Sequence, residues 1–177
     1  RRELNEIVFL GVSSSGADGF PLVVGLGFPE TQSRKTIFIW PPEEWGLIEV
    51  VKESENGKTE QTKLNPKIIE GIRTSDLISK GVAPDEAAKI ILQCVEKKSV
   101  YSVDPKQERK LIGKLGIHSP QTIQLNSAIV LFDSFVTPEL ERELQLNTKM
   151  NLNYYPRNKS DTRWLIELYN RCRQRGR

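Results

Sequence analysis

The chain has 177 residues, 37% of them hydrophobic and 28% charged, with 26 Lys and Arg against 23 Asp and Glu and a formal charge of +3. That is enough apolar material for one compact domain with a sizeable core, and 12 Gly with 10 Pro exclude a collagen-like or largely disordered chain. The longest apolar runs, Ile7 to Leu10 and Leu22 to Val24, suit strands and fall far short of the roughly 20 residues of a spanning helix, so no membrane partner is expected.

In chain order, Glu6 to Val12, Phe20 to Phe28 and Arg34 to Trp40 are predicted to form a β-meander, because apolar runs are bounded there by Ser-Gly-Asp and Pro-Glu-Thr-Gln-Ser turn chemistry. Pro41-Pro42 ends the third strand, and the polar stretch from Lys52 to Lys63 is expected to be a solvated loop. Helical periodicity then appears at Pro66 to Ile72, Ser75 to Lys80 and Pro84 to Lys97. In the last, Pro84 stands as a first helical residue with Asp85 and Glu86 in the first turn. Val100 to Val103 is a predicted strand, and Asp104 is the N-cap of a helix carrying Leu111, Ile112 and Leu115.

Further along, Thr122 to Leu125 is expected as a strand, Asn126 to Phe135 is ambiguous between helix and strand, and Thr137-Pro138-Glu139 caps a helix reaching about Leu146. A last helix starts at Asn158 or Ser160, with Trp164, Leu165, Leu168 and Cys172 on one face. Three strands followed by alternating helix and strand imply an α/β fold, with a mixed sheet flanked by helices. Residues 1–177 are read as one domain, with 171–177 a basic tail. The opening Arg-Arg-Glu without Met is expected of a domain excised from a longer protein.

Phosphate-binding loops, dinucleotide fingerprints and nucleophile elbows are absent from the sequence, and the single histidine, His118, leaves little for a triad. Cys94 and Cys172 belong to no Cys/His cluster; Cys94 reads as a small core residue, and a reducing, cytoplasmic compartment is expected.

One ordered set of segments is more specific. Phe9-Leu10-Gly11-Val12-Ser13-Ser14-Ser15-Gly16 opens the chain, and Ile68 to Arg73 with Leu77, Gly81 and the helix from Pro84 lies in the middle. Val100 to Glu108 and Pro156 to Leu165 follow. Together they resemble the DEDD-type (DnaQ-like) 3′-5′ exonuclease family over about residues 6 to 172, which implies an RNase H-like fold.

That family's chemistry uses carboxylates to hold two divalent ions astride the scissile phosphate. On this resemblance the first-strand Asp falls on Gly11, the first-strand Glu on Ser13 and the general-base His on Pro156, none of which can serve. Glu108 and Asp161 are the retained acids. Losing a metal site and a base together leaves negligible turnover, so no metal or other cofactor is expected, and Mg²⁺ or Mn²⁺ only if the chain is active. Glu108 also reads as one charge on a solvated helix face, and Asp161 as an acid in a first helical turn.

Basic residues are the remaining signal. Lys106, Arg109 and Lys110 form one group, and Arg157, Lys159, Arg163, Arg171 and Arg173 another, with Tyr154 and Tyr155 as stacking candidates. The leading expectation is a degenerate exonuclease-like domain that binds single-stranded DNA or RNA or acts as a scaffold for a protein partner or a second copy. The alternatives are an active exonuclease whose missing ligands come from Asp18, Asp104 or a partner chain, and a purely structural or oligomerisation domain.

Overall fold

The computed structural model describes residues 6–16, 19–52, 60–64, 72–117, 123–134 and 159–175. Three antiparallel strands open it: β1 (Ile7–Ser14), β2 (Pro21–Phe28) and β3 (Ser33–Phe38). Alternation along β1 sends Val8, Leu10 and Val12 to one face of the sheet and Phe9, Gly11 and Ser13 to the other. Both faces are covered, which is why β1 and β2 read as continuous apolar runs.

After a single 3₁₀ turn at Glu43–Trp45, β4 (Ile48–Lys52) and β5 (Glu60–Leu64) pair antiparallel as a separate two-stranded sheet. This corrects the expectation of a loop from Lys52 to Lys63. The hairpin carries no clean apolar alternation, so the sequence signal that marks a half-buried strand is missing.

Helices α1 (Thr74–Lys80) and α2 (Pro84–Val95) follow, and α2 begins at Pro84 as expected. Between them Val82 bridges β3 in parallel: Val82 N–H donates to the Phe38 carbonyl at 2.9 Å, and Trp40 N–H donates to the Val82 carbonyl at 2.8 Å. Strand β6 (Ser99–Ser102) then pairs parallel with β1. Helix α3 (Pro105–Gly113) is capped by Asp104, whose carboxylate accepts from Gln107 N–H at 3.3 Å.

Strand β7 (Leu125–Ser127) pairs parallel with β6 and lies later than the expected Thr122 to Leu125. It passes directly into α4 (Ala128–Asp133), which settles the ambiguous segment as helix after a short strand end. The last helix, α5 (Arg163–Arg175), starts later than expected because Asp161 and Thr162 precede its first turn. The expected helices at Pro66 to Ile72 and after Thr137 fall largely or wholly on residues outside those described.

Among the described residues the main sheet runs β3-β2-β1-β6-β7, a mixed α/β layout with helices on both faces. On one face Val8, Leu10, Val12, Val24 and Leu26 pack against Ala87, Ala88, Ile91 and Val95 of α2 and Leu111 and Ile112 of α3. Each such Leu or Ile contributes roughly 2 kcal/mol by leaving water. On the other face Phe9 meets Leu165, Ile166 and Tyr169 of α5. The buried stripe of α5 is Leu165, Ile166, Tyr169 and Cys172, whereas Trp164 and Leu168 are half-buried.

Candidate functional site

The face of the sheet under α5 has an unusual floor. Gly11 of β1 sits directly opposite Gly25 of β2, and Gly27 lies two pairs further on, opposite Phe9. Without side chains these positions admit backbone, and residues 159–162, a strap leading into α5, lie on them. A Cβ on Gly11 would overlap the Lys159 carbonyl oxygen, one on Gly25 the Ser160 carbonyl oxygen, and one on Gly27 would come within 2.7 Å of Thr162 Oγ1. Ser13 fastens the strap: its hydroxyl donates to Ser160 Oγ and accepts from Ser160 N–H, both at 3.0 Å, with both serines buried.

The two positions where the resemblance places first-strand acids are therefore where the strap is seated. Closely apposed backbone cannot rotate aside as a side chain can.

Glu108 is 6% exposed, which corrects its reading as a member of a solvated helix face. The reason is a backbone group in need of a partner. β1 pairs with β6 only through Ile7–Phe9 against Ser99–Tyr101, so the Val12 amide lies past the end of that ladder, and it donates to Glu108 Oε1 at 3.4 Å. Burial pushes the Glu108 carboxyl up to about 7, with the Asp104 charge adding to the rise; the Ser102 hydroxyl, the Val12 amide and the Lys159 charge oppose it. Glu108 Oε2 and Ser102 Oγ are both buried without a hydrogen bond of good geometry, although the hydroxyl is near enough to offset part of the burial cost.

Asp161 is held differently. Arg163 Nε donates to both carboxylate oxygens at 3.0 Å, Arg163 Nη2 donates to Oδ2 at 2.5 Å, and the Arg163 backbone N–H donates to Oδ1 at 3.1 Å. Arg34 Nη1 of β3 approaches Oδ1 at 3.8 Å. The Arg163 side chain above all holds this carboxyl below its usual range. Asp161 thus closes the start of α5 and spends its oxygens on guanidinium groups.

These residues do not fit a pair of divalent ions. One acid is tied to the Val12 amide, the other to two arginines, and strap backbone stands over Gly11 and Gly25. Among the described residues no three His, Cys, Asp or Glu side chains converge as a metal site. Asp104, considered as a replacement ligand, is engaged as the α3 cap; Asp18, Pro156, Arg157, Tyr154, Tyr155 and His118 lie outside the described residues.

Lys106, Arg109 and Lys110 are exposed on α3, against the Val8–Leu10–Val12 face, while Arg163, Arg171 and Arg173 are exposed on α5, against the opposite face. The two basic groups flank different sides of the sheet. Lys159 is the basic residue whose charge reaches Glu108.

The sequence reading passed over Arg34 and Lys35. Together with Gly25, Thr36, Phe38, Ser160, Asp161, Thr162 and Arg163 they line a pocket of about 290 Å³ beside the strap. The available signal was Arg-Lys-Thr within an otherwise apolar meander, a pattern that marks an exposed edge strand. No protein-family model matches the chain, and no curated protein matches it in sequence.

Proposed function

We propose that this chain is a catalytically retired, exonuclease-like domain of RNase H-like fold that binds single-stranded nucleic acid without cutting it. A three-strand meander followed by two parallel strands, with helices on both faces, is the layout that the resemblance implies, and it supports the fold assignment.

The observation that carries the loss of catalysis is the strap on Gly11 and Gly25, which occupies the space that first-strand carboxylates and their ions would need. The binding half of the reading is supported by the exposed arginines and lysines beside that strap, whose surplus positive charge suits a phosphate backbone.

The test is fluorescence anisotropy of a 5′-labelled oligonucleotide with a 3′ overhang, at low and moderate salt with Mn²⁺ present, followed over time. A rise that persists and weakens with salt is expected. A rise that then decays below the free-probe value would mean cleavage and overturn the loss of catalysis. No rise at either salt would leave a structural domain as the better reading.

A further inference from the structure

We propose that Arg34 and Arg163, with Lys35 at the rim, form a subsite for one phosphodiester of a single-stranded nucleic acid, in the pocket that opens between β3 and the start of α5. The inference rests on the nucleic-acid-binding reading above and assigns it a place.

Two arginines distant in sequence converge there on one carboxylate, Asp161. Arg34 and Arg163, with Lys35 at the next position of the edge strand, stand against Asp161 and the Glu167 charge that also acts on Arg163, which leaves a local surplus of one positive charge. Arg163 makes the close, forked pair, whereas Arg34 stands off at 3.8 Å with its side chain 48% exposed. Among the described residues the Asp161 carboxylate is the group that the structure pairs with Arg34, so most of its five donors face the pocket or solvent.

The rest of the lining suits a polar, anionic guest. Gly25 with the Ser160 backbone seated on it closes one side, and Thr36 and Phe38 of β3 add a polar and an apolar residue to the lining. About 290 Å³ is at the small end of ligand pockets and accommodates a phosphate with its sugar more readily than a folded partner. Arg34 from β3 and Arg163 from α5 come from different elements, so an anion in the pocket is met by guanidinium donors from two sides.

The position is also accessible. Among the described residues β3 is an edge strand, and the chain at Val82 covers its outer edge only near Phe38 to Trp40, leaving Arg34 to Thr36 exposed. Asp161 holds the guanidinium groups in place when no phosphate is present and competes with one when it arrives.

Binding of 5′-fluorescein oligothymidylate to the whole chain, measured by anisotropy across a salt series, tests the assignment. Arg34→Ala is expected to weaken binding about tenfold at low salt and to shallow the logarithmic salt slope by roughly 0.7, the value for one phosphate contact on a single strand. Asp161→Asn, which keeps an oxygen to accept from the Arg163 amide, is expected to tighten binding about threefold by removing the competing charge. Circular dichroism melting establishes that both variants remain folded.

Wild-type binding with no change in folded Arg34→Ala would overturn the subsite while leaving the broader reading intact. Weaker binding by Asp161→Asn would overturn it too. Failure of the wild-type chain to bind would overturn both readings, and equally tight capture of a labelled oligoglutamate would overturn the assignment to phosphate.

Discussion

Glu108 is a carboxyl placed where a charge is costly, and that gives the chain a pH dependence of defined sign. Its carboxyl is pushed from 4.5 up to about 7 by burial. Between those values the folded state holds a proton that the unfolded state has released. This contribution is therefore fully present below pH 4.5 and is lost as pH rises through about 7. The 2.5-unit difference, 7 − 4.5, corresponds to about 3 kcal/mol. Protonation also suits the local geometry: an Oε2–H can donate toward Ser102 Oγ while Oε1 keeps the Val12 amide, relieving two orphaned atoms together. Glu108→Gln carries the same donor and acceptor without a titrating proton. Urea denaturation from pH 5 to 8 is expected to show wild-type stability falling with pH and the Gln variant nearly level. Parallel curves would refute the assignment to Glu108.

At the scale of elements, the strap and the glycine floor form one unit, and placing an acid on the floor breaks the unit before it builds a metal site. Gly11→Asp drives a side chain into the Lys159 carbonyl and buries a charge beside backbone, with an expected loss of roughly 3–5 kcal/mol. Even Gly11→Ala is expected to cost about 1–3 kcal/mol, since its Cβ overlaps the same oxygen. Urea melts give both values, and a gel assay of labelled oligonucleotide with Mn²⁺ is expected to show no cleavage by Gly11→Asp. Nuclease activity in a stably folded Gly11→Asp chain would mean that the strap yields readily.

The same elements show what could be seen in advance. The meander and α2 were legible because apolar runs bounded by turn residues and a leading Pro84 are local signals, and the Asp104 cap was legible from its place before Pro105. Gly11 and Ser13 stood out only through the resemblance, as residues unable to serve as the acids it places there. What sits on them did not, since Ser13 and Ser160 are 147 positions apart and no periodicity links them. The burial of Glu108 was hidden for a similar reason: its partner is the Val12 amide, 96 positions away.

For the whole molecule, an excess of three positive charges is too small to make the entire surface basic, so where the charge lies decides what it can bind. Placing Lys106, Arg109 and Lys110 on one side of the sheet and Arg163, Arg171 and Arg173 on the other divides the cations between two surfaces. The acids are divided as well, with Glu108 turned toward the β1 amide and Asp161 toward its arginines. Among the described residues a divalent ion then meets no acidic cage that would favour the folded over the unfolded chain. A ligand at a hundred times its dissociation constant adds about 2.7 kcal/mol to stability, so a genuine metal site would register in a melting curve. Thermal unfolding with millimolar Mn²⁺, with Mg²⁺ and with EDTA is expected to give coincident midpoints. A saturable rise with Mn²⁺ that disappears in both Glu108→Gln and Asp161→Asn would show the two retained acids cooperating on an ion. The chain would then have to release the strap and the arginine clamp to be stable with metal bound, and the proposed loss of catalysis would be conditional on that rearrangement.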